Sequence, residues 1–423
     1  MRAISGGPRA RRRRPLVIER GAQQRRHKPD YWLLIYSVIL LAIGLIVIYA
    51  ISPGLSITSR VPQNYYINRQ MISVFLGVVA FAITCSLPVG TWRRLQRPLL
   101  VLAAISAIAV RLFGQEINGA YRWIQIGGFS FQSNELIKFA ILIWVAGFLA
   151  DKIKSGTVTD NKLTLRPLLI CLAVVVIVVA GIQSDLGSTA VIVGIMATMV
   201  FVAGLPLKRI MTTGGIIIVA GILLVSVSGY KKQRLETFLH PDANCQSTGY
   251  QACQALIAVG SGGMIGLGLG RDVQSYGYLP EAQNDSIFAI YAEKFGLIGS
   301  LVLLALFLGL FIRLKNIIEH APDDFSRLVV SGVLAWLCVQ AFINIAAMVG
   351  IIPFEGITLP FISYGGTSIL FVTAAIGVAF QISRYTTYSI PTAKEEGNRY
   401  DDSRNGRRLR RAYNSNIGSR SRA

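Results

Sequence analysis

The chain has 423 residues, 53% of them hydrophobic and only 15% charged, a composition too apolar for an ordinary soluble enzyme. Its formal charge of +21 would suggest nucleic acid in a soluble protein, but residues 1–30 carry a net +8 and residues 384–423 a net +6. The sequence therefore describes a polytopic membrane protein with basic tails; no nucleic acid is expected, because Arg runs alone are nonspecific.

In chain order, residues 1–30 are expected to form a basic tail without fixed structure. No apolar core follows Arg11–Arg14 before Tyr31, so the first span is expected to act as an uncleaved anchor. Apolar runs predict ten spans, near residues 31–51, 69–87, 98–113, 134–150, 167–182, 188–204, 210–228, 286–312, 328–350 and 367–384. The expected fold is an all-α bundle of about ten transmembrane helices, and residues 31–385 make up its transmembrane domain. Short loops carry Arg93, Arg94 and Arg97, then Lys152, Lys154, Lys162 and Arg166, then Lys208 and Arg209, then Arg313, Lys315 and Arg327. This alternation places both termini in the cytoplasm, where the tails 1–30 and 386–423 can touch anionic lipid.

The large external loop 229–285 lies between the seventh and eighth spans. Its Lys231, Lys232, Arg234 and Arg271 break the charge rule, which long loops obey weakly, and could meet an anionic ligand. Cys245 and Cys253 share this loop on the side where disulfides persist, so a bridge and two separate thiols both stay open. Cys85, Cys171 and Cys338 read as small buried hydrophobes in spans. SGGMIGLGLG, residues 261–270, reads as close packing in preference to a phosphate-binding nest, since no Walker pattern accompanies it.

Polar residues gather in the predicted external segments. Glu135 and Lys138 stand three apart on one helical face and can pair, either as a helix-end ion pair or with Lys138 or Arg122 neutralising a substrate phosphate. Asp185, in the tight turn GIQSDLGS, reads equally as a helix cap and as the wall of a cavity. Asp285 ends the long loop just before an apolar span. It could cap that helix, or serve as a general base if apolar walls raise its pKa, with Glu281 assisting four residues earlier. Glu293 and Lys294 read as structural pairs. LPFISYGGTS, residues 359–368, combines Pro360, glycines Gly365 and Gly366 that permit φ > 0, and the hydroxyls of Ser363, Thr367 and Ser368. It reads as a re-entrant turn lining a cavity.

RWIQIGGFSFQSNELIKF, QSDLGSTAVIV, RLETFLHP, LPEAQNDSIFAIYAEKFG and LPFISYGGTS occur in this order. The set resembles the SEDS family (shape, elongation, division and sporulation), the FtsW and RodA type of peptidoglycan polymerase, over residues 31–385. The resemblance implies a ten-helix fold and polymerisation of lipid II at the outer face of the bacterial cytoplasmic membrane. It also implies a class B penicillin-binding protein as partner. The long N-terminal tail and the wording of the last motif lean toward the FtsW branch, with septal location and other division proteins as partners. A RodA-type elongation polymerase, a lipid II flippase and a noncatalytic scaffold are the competing readings.

Carried over by position, the family's essential loop Asp falls on Asp285 and its fourth-helix Glu and Lys on Glu135 and Lys138. Arg122, Asp185, Arg234 and Ser363 occupy other motif positions. Gln283-Asn284 stands where many relatives have His-Thr, and Ser133 and Ser184 replace frequent prolines. Inverting transfer of a sugar from a lipid diphosphate needs a base, assigned to Asp285, and a charge sink, assigned to Lys138, Arg122 or a divalent ion. No metal-ligand spacing of His or Cys is present; Mg2+ or Mn2+ would rely on Asp, Glu and phosphate oxygens.

Overall fold

The computed structural model describes residues 24–26, 28–117, 120–126, 129–212, 214–215, 238, 245–246, 249–271 and 273–387. The chain divides into a unit of residues 26–386 and a unit made of its two ends, 1–25 and 387–423, nearly all of which lies outside the described residues. The larger unit is helical: α1 (Tyr31–Ser59), α2 (Tyr65–Ser86), α3 (Val89–Phe113), α4 (Ser133–Lys154), α5 (Arg166–Val176) and α6 (Leu186–Val202), then α7 (Tyr250–Ser261), α8 (Ile287–Glu319), α9 (Asp324–Met348) and α10 (Gly366–Ile382). π-helical turns Asn161–Leu165 and Ile177–Ile182 extend α5 into one rod. That rod, α1, α2, α3, α8 and α9 are long and apolar enough to cross a membrane, and α6 and α10 are shorter apolar helices.

The predicted span near 210–228 falls almost wholly outside the described residues. Three expectations change. α3 begins at Val89 after Pro88, so Arg93, Arg94 and Arg97 stand in a helix and not in a loop. Residues 115–132, expected as a loop of an all-α protein, form a three-stranded antiparallel sheet of β1 (Gln115–Ile117), β2 (Ala120–Ile126) and β3 (Phe129–Gln132). The aromatic and β-branched residues of Tyr121–Ile126 suit a strand, and Trp123 pairs with Gln132 at the entrance to α4. Part of the predicted external loop is helix α7 followed by a glycine segment packed on α8.

That packing explains the glycines. α8 breaks at Gly296, with φ 64° and ψ −163°, and a broken helix at membrane depth needs new partners for its freed backbone. The glycine segment supplies them: Leu267 N donates to Glu293 O (2.9 Å) and Gly268 N to Lys294 O (3.0 Å), while Leu297 N and Ile298 N donate to Gly263 O (2.9 Å) and Met264 O (3.1 Å). A Cβ on Gly262 would lie 2.1 Å from Ala292 O, and one on Gly266 would lie 2.2 Å from Lys294 O. Glu293 completes the junction by accepting from Val273 N (3.1 Å) and Gln274 N (3.4 Å).

α4 and α9 are enclosed along most of their lengths and form the centre of the bundle. At one end of it, Asp30 caps α1, takes Arg313 of α8 at 2.6 Å, and gives its N–H to Ser383 after α10. The sheet, the turn before α6 and the loops before α8 and α10 collect at the opposite end.

Candidate functional site

The site is built around two amides on one face of α9. Gln340 and Asn344 are four residues apart, so they lie one above the other. Gln340 Nε2 donates to Thr358 O (2.9 Å) and Thr358 Oγ1 (3.2 Å), and Asn344 Nδ2 donates to Ile357 O (2.6 Å). Together they clamp the extended segment 357–358 between α9 and α10. Each amide also reaches a candidate catalytic group: Gln340 Oε1 accepts from Lys138 Nζ (2.9 Å), and Asn344 Nδ2 donates to Asp285 O (2.7 Å). The clamp thus brings Asp285 and Lys138, 147 positions apart in the sequence, to either side of one segment.

On the α4 side the groups are buried. Lys138 Nζ meets Glu135 Oε1 at 2.7 Å, with side chains 1% and 2% exposed. Trp336 lies 5.3 Å from Nζ and donates its indole N–H to Gln340 Oε1 (2.7 Å). A buried pair is tolerated when its remaining valences are bonded, and Gln340 does this for Lys138. Glu135 Oε2 is buried with no hydrogen-bond partner among the described residues.

The turn before α6 adjoins this cluster. Asp185 is 3% exposed and is the α6 N-cap, accepting from Ser188 N (2.9 Å) and Ser188 Oγ (2.8 Å), and from Asn134 Nδ2 of α4 (2.6 Å). The carboxylate is fully engaged in holding two helix starts together. Arg122 on β2 donates to Gln183 O (3.2 Å) and Ser184 O (2.5 Å), pinning the turn where Ser184 takes φ 53°.

Asp285 stands in a different setting. It is partly exposed and does not cap α8; Ser286 occupies the N-cap position. The loop is shaped by Glu281, which takes φ 51°, accepts at its carbonyl from Asn284 N (2.9 Å), and takes Asn284 Nδ2 on its carboxylate. Glu281 itself is exposed, so its placement is that of a loop former beside Asp285. Gln283 O accepts from Tyr364 N (2.8 Å), tying this loop to LPFISYGGTS. Across from Asp285, a Cβ on Gly356 would come within 3.2 Å of Oδ2.

LPFISYGGTS is re-entrant: a Cβ on Gly44, in the middle of α1, would meet Phe361 O at 2.6 Å. The left-handed residue is Phe361 (φ 67°), and neither Gly365 nor Gly366 takes that conformation. The correction has a physical reason. Leu359 O takes the N–H groups of Ile362 and Ser363, which forces the turn at Phe361, whereas Gly366 gives room for Ser73 Oγ, 3.2 Å from where its Cβ would be. The hydroxyls hold the loop. Ser363 is 3% exposed and accepts from Leu359 N (2.7 Å), Thr367 bonds to β3 at Ser130 O (2.8 Å), and Ser368 meets Thr358 (3.2 Å). Ser363 is therefore buried and engaged within its own loop.

Ser184, Glu281 and Phe361 are three of the four non-glycine residues with positive φ among the described residues. Each costs about 1–3 kcal/mol, and such strain collects at functional sites. Cys245 and Cys253 are joined as a disulfide at the start of α7. Arg234 lies outside the described residues. No three His, Cys, Asp or Glu side chains converge as a ligand set among the described residues. Gln340, Asn344, Trp336 and Thr358 were missed in the sequence. The signal available was a pair of amides at i, i+4 within an apolar span, which marks an inward-facing polar stripe.

Fold and site together define a multi-pass membrane protein with a polar site assembled at one end of the bundle. The family model described as cell cycle protein, FtsW/RodA/SpoVE, matches residues 31–388, and the chain belongs to that family. It is 36% identical over 363 residues to stage V sporulation protein E of Bacillus subtilis, covering 85% of this chain and 98% of the relative. It is 34% identical over 371 residues to the probable peptidoglycan glycosyltransferase FtsW of Hydrogenovibrio crunogenus, covering 87% and 95%. Among solved structures, a chain from a peptidoglycan synthase complex superposes with TM-score 0.68 at 23% identity, over 84% of this chain and 98% of the other. The rod shape determining protein RodA of Thermus thermophilus gives 0.60 at 23% identity, over 84% and 97%.

Proposed function

We propose that this protein polymerises lipid II into glycan strands by inverting glycosyl transfer, in cell division, at the outer face of the bacterial cytoplasmic membrane. The site end then faces outward and the basic ends face the cytoplasm and its anionic lipid. A class B penicillin-binding protein and other division proteins are the partners, at the septum. The observation that supports this most is the α9 clamp, which ties the partly exposed Asp285 and the buried Lys138–Glu135 pair to one segment. Asp285 takes the proton from the attacking sugar hydroxyl as the bond from the anomeric carbon to the diphosphate breaks. Lys138 fixes the cationic side of the site through Gln340, and Arg122 holds the turn that borders it; charge on the departing diphosphate is offset from that side.

A lipid transporter would call for ionisable groups acting near the midplane. Glu293 and Arg111 are the residues in the sequence that favour a transporter; Glu293 is engaged with the backbone of residues 273–274, a structural role that supports the polymerase reading. Purified protein, with and without its transpeptidase partner, is given labelled lipid II and assayed in parallel for glycan polymer and for lipid movement between leaflets. Polymer supports the proposal. Movement without polymer would overturn it.

A further inference from the structure

The loop that carries Asp285 is closed by a contact that the chemistry above does not use. Ser286 stands at the N-cap of α8, where a hydroxyl ordinarily bonds the free N–H groups of the helix, yet its side chain makes no such bond. Ser286 Oγ instead donates to Pro280 O (3.1 Å) and accepts from Gln251 Nε2 (3.2 Å), and the same Nε2 donates to Pro280 O (3.3 Å). One amide on α7 thus joins the two ends of segment 280–286. The joint is enclosed, with Leu279, Ala282 and Ser286 between 0% and 2% exposed. Asp285 is therefore held from two sides, its own carbonyl by Asn344 of α9 and the next side chain by Gln251 of α7.

Gln251 sits where a helix is weakest. It is the second residue of α7, whose N-cap is Gly249 with no side-chain bond to the free N–H groups of the first turn, and an uncapped first turn frays. Here the turn is fastened covalently. Cys253, two residues past Gln251, is bonded to Cys245 and gives its N–H to Gly249 O (2.9 Å). Cys253, Ala255 and Ala258 form the buried face of α7, so the bridge ties the chain ahead of the helix to the face that packs in the bundle. Gln251 lies inside the loop that this bridge closes.

Building on the polymerase reading, we infer that Gln251 is a positioning residue for Asp285 and that the Cys245–Cys253 bridge holds it in place, so that glycosyl transfer is fastest in the oxidised chain. Oxidation follows thiol–disulfide exchange. An external disulfide donor loses its S–S bond and becomes a dithiol, taking two electrons and two protons from the Cys245 and Cys253 thiols as their own S–S bond forms. Reduction by a dithiol reverses the step. Cys245 is the more open residue and Cys253 is 4% exposed, so a reductant attacks Cys245 Sγ and Cys253 leaves as the thiolate. A shift of about 1 Å in a reacting group can cost about a hundredfold in rate. The bridge controls where the base stands, and not how tightly substrate binds.

The test uses the full chain with its partner and labelled lipid II. Gln251→Met keeps the length of the side chain and removes the donor; it is expected to lower kcat about tenfold and to leave KM within about twofold, with the thermal midpoint little changed. A lower midpoint with wild-type kcat per folded molecule would make Gln251 merely structural and overturn the inference. Dithiothreitol, which closes into a cyclic disulfide as it reduces the bridge, is expected to lower kcat of the wild-type chain to a similar degree, and reoxidation to restore it. The Gln251→Met chain and the Cys245→Ser, Cys253→Ser chain should lose nothing further to dithiothreitol. No loss in the wild-type chain, or the same fold loss in either variant, would break the link between bridge, amide and base. Absence of polymer from the oxidised wild-type chain would sink the polymerase reading instead. The link is then judged by amide exchange over residues 279–286, which reduction should speed in the wild-type chain; exchange that ignores the bridge would refute it. The reduction and exchange arms stand on the wild-type chain alone, should Gln251→Met fail to fold.

Discussion

Asp185 and Asp285 look alike in the sequence, each an aspartate just before an apolar span, and the structure uses them in opposite ways. Asp185 is buried, caps α6 through Ser188, and joins α4 through Asn134. Asp285 leaves the cap position of α8 to Ser286, stays partly exposed, and is positioned through its backbone carbonyl by Asn344. A carboxylate bound up with helix N–H groups and an amide is poorly placed to accept a proton from substrate. Asp285 has its backbone carbonyl held by Asn344 and its Oδ2 bordering Gly356.

Several substitutions test this contrast. The largest effect is expected from Asp285→Asn, which keeps the Asn344 bond to the main chain and removes the base. Polymerisation should fall by about 10²–10⁴ while the thermal midpoint stays where it was; a variant with normal activity would take Asp285 out of the mechanism. Next comes Lys138→Ala, which leaves Glu135 buried without its cation and should cost about 3–5 kcal/mol of stability. The double variant Glu135→Gln, Lys138→Met should recover most of that stability without recovering activity, as read by thermal unfolding beside the polymer assay. Reducing the Cys245–Cys253 bridge, or replacing both with Ser, should loosen the start of α7 by about 2–3 kcal/mol, seen as faster amide exchange over residues 250–261. The smallest effect is expected at Asp185→Asn, about 1–2 kcal/mol for a weakened cap, with activity per folded molecule nearly unchanged. If instead Asp185→Asn abolished activity at wild-type stability, the two aspartates would share the chemistry and the contrast would fail.

Much of this arrangement was legible in the sequence. Apolar periodicity located most of the helices, since a membrane helix announces itself by length and composition, and the motif residues Glu135, Lys138, Asp185 and Asp285 do gather at one end. Three things were not legible. The sheet of residues 115–132 was hidden because strands of three to seven residues in a short connector carry a weak local signal. The roles of Asp185 and Asp285 could not be separated, because capping is decided by where the helix starts to within one residue. The clamp was missed because Gln340 and Asn344 bond to residues distant in the chain, and only the packing of α9 against the 357–358 segment brings them there.

The central claim is that Gln340 and Asn344 act as one clamp on the segment that joins Lys138 to Asp285. It is tested most directly by a double-mutant cycle on polymerisation rate with Gln340→Ala, Asn344→Ala and the pair. The clamp predicts that the double variant loses less than the product of the two single losses, with a coupling of about 0.5–3 kcal/mol. Losses that simply multiply would show that the two amides act independently, and would contradict the account.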